Sequence, residues 1–173
     1  MNKNTTVIII ASFVIIVSLG FSAWNIFSAE QIQFRESKHG DFKFFDLMNN
    51  GKILVCHDLP FYADFKDIGI TMMYDGRNIG TFAISNIVLN PNSETTVQGK
   101  FTSETFKESQ YLSLHFDSMY YGVIPIRIDI ERMEVVTEIS TNIVGFIPFT
   151  IINEYPGLEF WKMMNNTNEE YNC

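Results

Sequence analysis

Cys56, His57 and Asp58 stand side by side in the stretch ILVCHDLPFYADF, residues 53–65. A thiol, an imidazole and a carboxylate are the residue types of a thiol-protease-like set, in which a base activates the nucleophile. The run KILVCHD, however, reads as a short strand, and neighbours along a strand point to opposite faces. Cys56 then shares a face with Leu54, and His57 with Ile53 and Val55. Cys–His enzymes bring the two residues from separated parts of the chain. The expectation is a partly buried structural cysteine. His39 reads as part of a stalk, and His115 as a solvent-facing strand position. Asp58, Asp64 and Asp67 are close in sequence, but DLPFYADFKD lacks the D-x-D-x-D-G loop and carries Lys66 inside it. No nucleophile elbow, phosphate loop, dinucleotide fingerprint or H-E-x-x-H motif occurs. No catalytic residue, metal ligand or cofactor site is therefore assigned, and a non-catalytic protein is expected.

The second cysteine is Cys173. In an oxidising compartment Cys56 and Cys173 are candidates for a disulfide. Closing so long a loop contributes about 4–5 kcal/mol in the chain-entropy model. The alternative is two unpaired thiols.

The elements that position these residues begin with an apolar segment. From Val7 to Phe27 there is no charged residue over 21 positions. A helix of that length crosses a hydrocarbon layer of roughly 30 Å. Trp24, near its C-terminal end, suits the membrane interface. The competing reading is a cleaved secretory signal, but its apolar region is normally about 7–15 residues and ends in an A-x-A-like site. Residues 1–6 form a short tail, 7–27 the anchor and 28–40 a polar stalk. The segment 41–155 is one domain, and 156–173 is a tail with a short helix carrying Leu158, Trp161 and Met164 on one side. The anchor has no clear small-xxx-small seam for helix dimerisation. The expected layout is single-pass in the cell membrane, with the domain extracytoplasmic.

Within the domain, period-2 patterning recurs. DFKFFDLM and KILVCHD flank an Asn49-Asn50-Gly51 turn. IGITMMYDGRNIGTFAI reads as a hairpin turning at Asp75-Gly76, a dipeptide that accepts positive φ. A two-turn helix capped by Thr102 or Ser103 is expected in TSETFKESQ. YLSLHF follows as a strand with Leu112, Leu114 and Phe116 inward. VIPIRIDIE reads as a strand with Ile124, Ile126, Ile128 and Ile130 inward and its acids in solvent. MEVVTEI is another strand, and Gly145 and Pro148 break the next. Seven or so short strands with one short helix predict an all-β, two-sheet β-sandwich.

The "NG…LP" run ahead of a strand, then ITMMYDGRNIGTFAI and LNPNSETTVQGKF, resemble the late-embryogenesis-abundant group 2 family, the water-stress and hypersensitive-response (WHy) domain. The chain is similar in particular to short membrane-anchored archaeal proteins carrying that domain. The resemblance covers residues 41–140, and where the family usually has Asn-Pro this chain reads His57-Asp58-Leu59-Pro60. It implies a fibronectin-III/immunoglobulin-like sandwich with one short helix, and a role in stress protection or binding. It carries over no catalytic residue.

The net charge of −8 argues against nucleic acid, whose phosphates demand basic footprints. The partners expected are the membrane, through the helix, and a protein. Phe61, Tyr62, Met119, Tyr120 and Tyr121 are the candidate interaction surface, set against a plain core-and-cap reading of the same aromatics. Asn4 and Asn165 head N-x-T sequons, and Asn165 is expected to be accessible to glycosylation. The reading is a membrane-anchored, non-catalytic sandwich with an interaction or stress-protective role. Its alternatives are an accessory subunit of a membrane complex, or a small-ligand binder or enzyme using a pocket near Cys56 and His57.

Overall fold

In the computed structural model, which describes residues 3–36, 42–49, 51–122 and 124–165, the chain forms two antiparallel sheets and a few helices. The smaller sheet has the order β1 (Gln33–Glu36), β2 (Lys52–His57), β5 (Ser93–Gln98). The larger has the order β6 (Lys100–Thr102), β4 (Arg77–Leu89), β3 (Ala63–Tyr74), β7 (Met133–Ile143), β8 (Ile147–Pro156). The helices are α1 (Lys3–Gln31), α2 (Phe44–Met48), α3 (Phe106–Tyr121) and α4 (Gly157–Asn165). Ile53 and Val55 of the smaller sheet share one buried cluster with Ile68, Ile70, Met72 and Phe82 of the larger, completed by Leu112, Phe116 and Phe160 from the helices. Each such side chain contributes about 1.5–3 kcal/mol on burial.

The β3–β4 hairpin turns tightly at Asp75 (φ 53°) and Gly76 (φ 72°), with Tyr74 paired to Arg77. Two positive φ angles in a two-residue loop match the right-handed twist of the strands. Farther along the ribbon the alternation inverts. Ile68, Ile70 and Met72 are buried in one half of β3, but Ala63 and Phe65 in the other; β4 switches likewise from Phe82 and Ile84 to Ile87 and Leu89. The switch falls at Asn86, whose φ is 55°, while the pairing on either side keeps its register. The kink lets one hairpin bury different faces along its length. At the other edge, Phe101 lies over Gly80 and Phe82 over Gly99. A Cβ on Gly80 would stand 2.1 Å from the Phe101 ring.

Several expectations need correction. YLSLHF belongs to the 16-residue helix α3, not to a strand after a two-turn helix. Its buried face includes Ser109, Leu112, Ser113 and Phe116, while Leu114 is exposed. Residues 106–121 contain no β-branched side chain, Gly or Pro, and the helix stops at Gly122 in the left-handed conformation. The helix begins beyond Thr102 and Ser103, with Thr105 at the N-cap. The described part of VIPIRIDIE, residues 124–131, is not a ladder strand: it is irregular up to a 3₁₀ turn at Ile130–Arg132, and Ile126 is exposed. Tyr74, through its hydroxyl, accepts from the Asp129 N–H, and Asp129 caps the turn by accepting from the Glu131 N–H. DFKFFDLM contributes the helix α2. The apolar helix runs past Phe27 to Gln31, and residues 33–36 of the expected stalk are β1, paired with β2. Pro148 lies inside β8, on the sheet edge, where a missing N–H is tolerated.

Candidate functional site: the helix junction and the opposite end of the large sheet

The Cys56–His57 pair sits on the central strand of the smaller sheet, and both residues are buried. The Asn90 carbonyl lies 3.0 Å from His57 Nδ1. A carbonyl only accepts, so Nδ1 carries the proton there. Nε2 finds no partner among the described residues, and the ring meets the Phe61 edge. Cys56 is held in a disulfide, so no thiol stands beside His57. Its expected partner, Cys173, lies outside the described residues, as does His39. Asp58 is exposed, and no group of three His, Cys, Asp or Glu among the described residues is placed to hold a metal. His115 is buried on α3 against Tyr111, not solvent-facing, because that segment is helical.

The long helix α1 is keyed to the domain by side chains that look unremarkable in an apolar run. Ser18 is half-buried, and Ser22, Asn25 and Ala29 are buried. Their spacing of i, i+4, i+7 and i+11 is one helical stripe. Ser22 Oγ accepts from the Val144 N–H at 2.7 Å and donates to the Ser18 carbonyl. Asn25 Oδ1 accepts from the Asp64 N–H at 3.2 Å. Thr141 Oγ1 donates to the Asp64 carbonyl, tying β7 to the same strand end. Trp24 packs on Phe61 with centroids 3.5 Å apart. A polar notch of about 290 Å³ lies along this junction, lined in part by Phe21, Lys66 and Asn142. The stripe, which includes the small pair Ser18 and Ser22 four residues apart, is turned toward the protein's own sheet.

The opposite end of the large sheet is closed by aromatic packing. Phe42, Phe44, Phe116 and Phe160 are wholly buried, with Phe44 edge-on to Phe42 and Phe116 at 5.2 and 5.0 Å. Asp117 on α3 accepts from the Phe44 and Phe45 N–H groups, both at 3.0 Å. A carboxylate from another helix thus caps α2, whose own N-cap residue, Lys43, makes no side-chain cap bond. Burial pushes the Asp117 carboxyl up from 3.8 to about 6, against the lowering effect of the two amides. The Phe42 backbone is clamped from two sides. Its N–H donates to Asn165 Oδ1 at 2.8 Å, and its carbonyl accepts from Trp161 Nε1 and the Tyr121 hydroxyl. Tyr120 stacks on Trp161 at 3.4 Å, and burial raises the pKa of its hydroxyl.

The candidate interaction residues are therefore not one surface. Phe61 and Tyr62 precede the first residue of β3 at the α1 end, and Tyr62 stands exposed. Met119, Tyr120 and Tyr121 end α3 beside α4, whose Gly157 sits against Met133, the partner of the last residue of β3. Tyr120 and Tyr121 are engaged internally. Asn165 is half-buried with its amide on Phe42 and Trp161, so glycosylation there requires that clamp to open. No sequence signal marked Asp117; the sequence reading also missed the stripe on α1, for which the helical spacing of Ser18, Ser22, Asn25 and Ala29 was the available signal.

No family model matches the chain, and no curated protein matches it. A crystal structure of a protein from Archaeoglobus fulgidus aligns with 72% of this chain and 94% of its own, at 10% identity and a TM-score of 0.33. A solution structure of an Arabidopsis thaliana protein aligns with 72% of this chain and 76% of its own, at 16% identity and a TM-score of 0.28. Likeness at this level assigns no function.

Proposed function

We propose that the chain is a single-pass membrane protein whose β-sandwich, of the fibronectin-III/immunoglobulin type, serves at the cell envelope as a non-catalytic module. Its role is protein interaction or protection under water stress, in the manner of the family that its sequence resembles. The observation that supports this best is the continuity of α1. Its first two-thirds expose an apolar surface, while its last turns are built into the sheets through Ser22, Asn25 and Ala29. A cleaved signal would take those side chains away and leave the Asp64 and Val144 amides without their partners. The disulfide at Cys56 suits an oxidising, extracytoplasmic compartment. Burial of Cys56 and His57 on a central strand leaves little case for a reaction there.

The test is to extract the native protein from membranes washed at high pH and measure its intact mass. Retention with residues 1–31 present is the expected result. A soluble chain beginning after Gly20 would overturn the anchor. Crosslinking mass spectrometry on the same material then separates interaction from protection: a stable partner favours the first, and none favours the second.

A further inference from the structure

The β7–β8 hairpin ends in Val144-Gly145-Phe146, and this tip is unlike every other turn among the described residues. No charged residue occurs between Glu138 and Glu154. Phe146 is 74% exposed, the most exposed large apolar side chain outside α1 among the described residues, and Ile147 beside it is exposed as well. Val144 holds a φ of 54°, which a β-branched residue adopts only under constraint. The constraint is visible: its N–H donates to Ser22 Oγ on α1, and the Phe146 N–H donates to the Ile143 carbonyl. The tip is thus built in place at a fixed level of the helix.

That level is informative. Val7–Phe21 spans about 22 Å as a helix, short of the roughly 30 Å of a hydrocarbon layer. The apolar layer around α1 therefore has to extend past Ser22, toward Trp24 and Phe27, where the tip is docked. Phe21, Trp24 and Phe27 are exposed on the helix at this height. Ordinary soluble hairpin tips carry polar turn residues; this one presents an aromatic ring and a β-branched pair alongside a membrane-spanning segment.

We infer that the β7–β8 tip is a second membrane contact, with Phe146 and Ile147 inserted among the lipids of the outer interface next to α1. This rests on reading α1 as an anchor. Two points of attachment fix the tilt of the domain on the membrane, which one helix does not.

The test places the photoreactive residue p-benzoylphenylalanine at one position at a time in the full chain, reconstituted in nanodiscs of phosphatidylcholine and phosphatidylglycerol. The variants are Phe13→p-benzoylphenylalanine in the anchor, Phe146→p-benzoylphenylalanine at the tip and Ile126→p-benzoylphenylalanine, an exposed apolar position toward the opposite end. Lipid adducts are counted by intact mass. Adducts at 13 and 146, with only background at 126, are expected. Adducts at 13 alone overturn the tip contact and leave the anchor standing. Adducts at neither 13 nor 146 overturn both. Equal yields at 146 and 126 overturn the tip contact as non-specific. Each variant is accepted only if its thermal unfolding matches that of the parent.

Discussion

At the β3–β4 tip, Asp75 pairs with Arg132, which also reaches Asp129, and all three groups stand in solvent. At the β7–β8 tip, on the opposite end of the same sheet, the chain offers Val144, Gly145 and Phe146 with no charge nearby in sequence. Both tips use positive φ, so backbone geometry does not distinguish them. What differs is their polarity, which fits the proposal that one tip faces water and the other lipid. Exposed ion pairs contribute at most about 1 kcal/mol in water; a charge in lipid costs several. Behind the tips the ends differ again. The Asp75 end adjoins a buried aromatic cluster with a buried carboxyl, whereas the Phe146 end is joined to α1 by single polar side chains beside a polar notch. One end is a packed aromatic cluster, and the other meets α1 through single hydrogen bonds.

Exchanging residues between the two roles should expose that difference. Phe44→Ala, in the aromatic cluster, is expected to lower unfolding stability by about 3–5 kcal/mol, measured by urea titration of the detergent-solubilised full chain. A loss below 1 kcal/mol would mean the cluster is not the stabilising element. Asp117 gives the next effect. Its folded value of about 6 lies above the ordinary 3.8, so folding favours the protonated form. Its stabilising contribution is complete below the unfolded value and is lost as pH rises through about 6. The window is about 3 kcal/mol wide. The stability difference between the parent and Asp117→Asn should therefore shift in the parent's favour on acidification across that range, and a difference independent of pH would contradict the assignment. Gly80→Ala drives a methyl into the Phe101 ring and should cost about 1–3 kcal/mol, seen as a lower thermal midpoint.

At the attachment end the effects are smaller and local. Asn25→Ala removes the acceptor of the Asp64 amide and should cost about 1 kcal/mol. Hydrogen exchange should quicken at Asp64 and stay unchanged at Phe44; equal acceleration at both would show that the whole domain had loosened. Phe146→Ala should change unfolding stability by less than about 0.5 kcal/mol. That is the sharpest form of the comparison, the same truncation of the same residue type at two ends.

Much of the strand ladder was legible because period-2 patterning, β-branched residues and the Asp75-Gly76 turn agree locally. The helix α3 was not. Leu112, Leu114 and Phe116 alternate, but Leu112 and Phe116 are also four apart, and short apolar runs fit both periods. Likewise Ile124, Ile126, Ile128 and Ile130 alternate without a partner strand to receive them. The β1 segment, QFRE, carries too little apolar character to announce a strand; its pairing with β2 comes from β2 offering a free edge.

What the sequence determines by itself is whatever depends on neighbours within a turn or two. That covers the apolar helix, the tight hairpin and the alternation that buries Ile68, Ile70 and Met72 on one face. The tertiary structure decides which distant groups answer each other: Asp117 to the amides of α2, Asn165 to Phe42, Ser22 to Val144. Those pairings link residues separated by tens to more than a hundred positions. Buried amides need partners, but any acceptor satisfies that need, and only the packed fold selects which one.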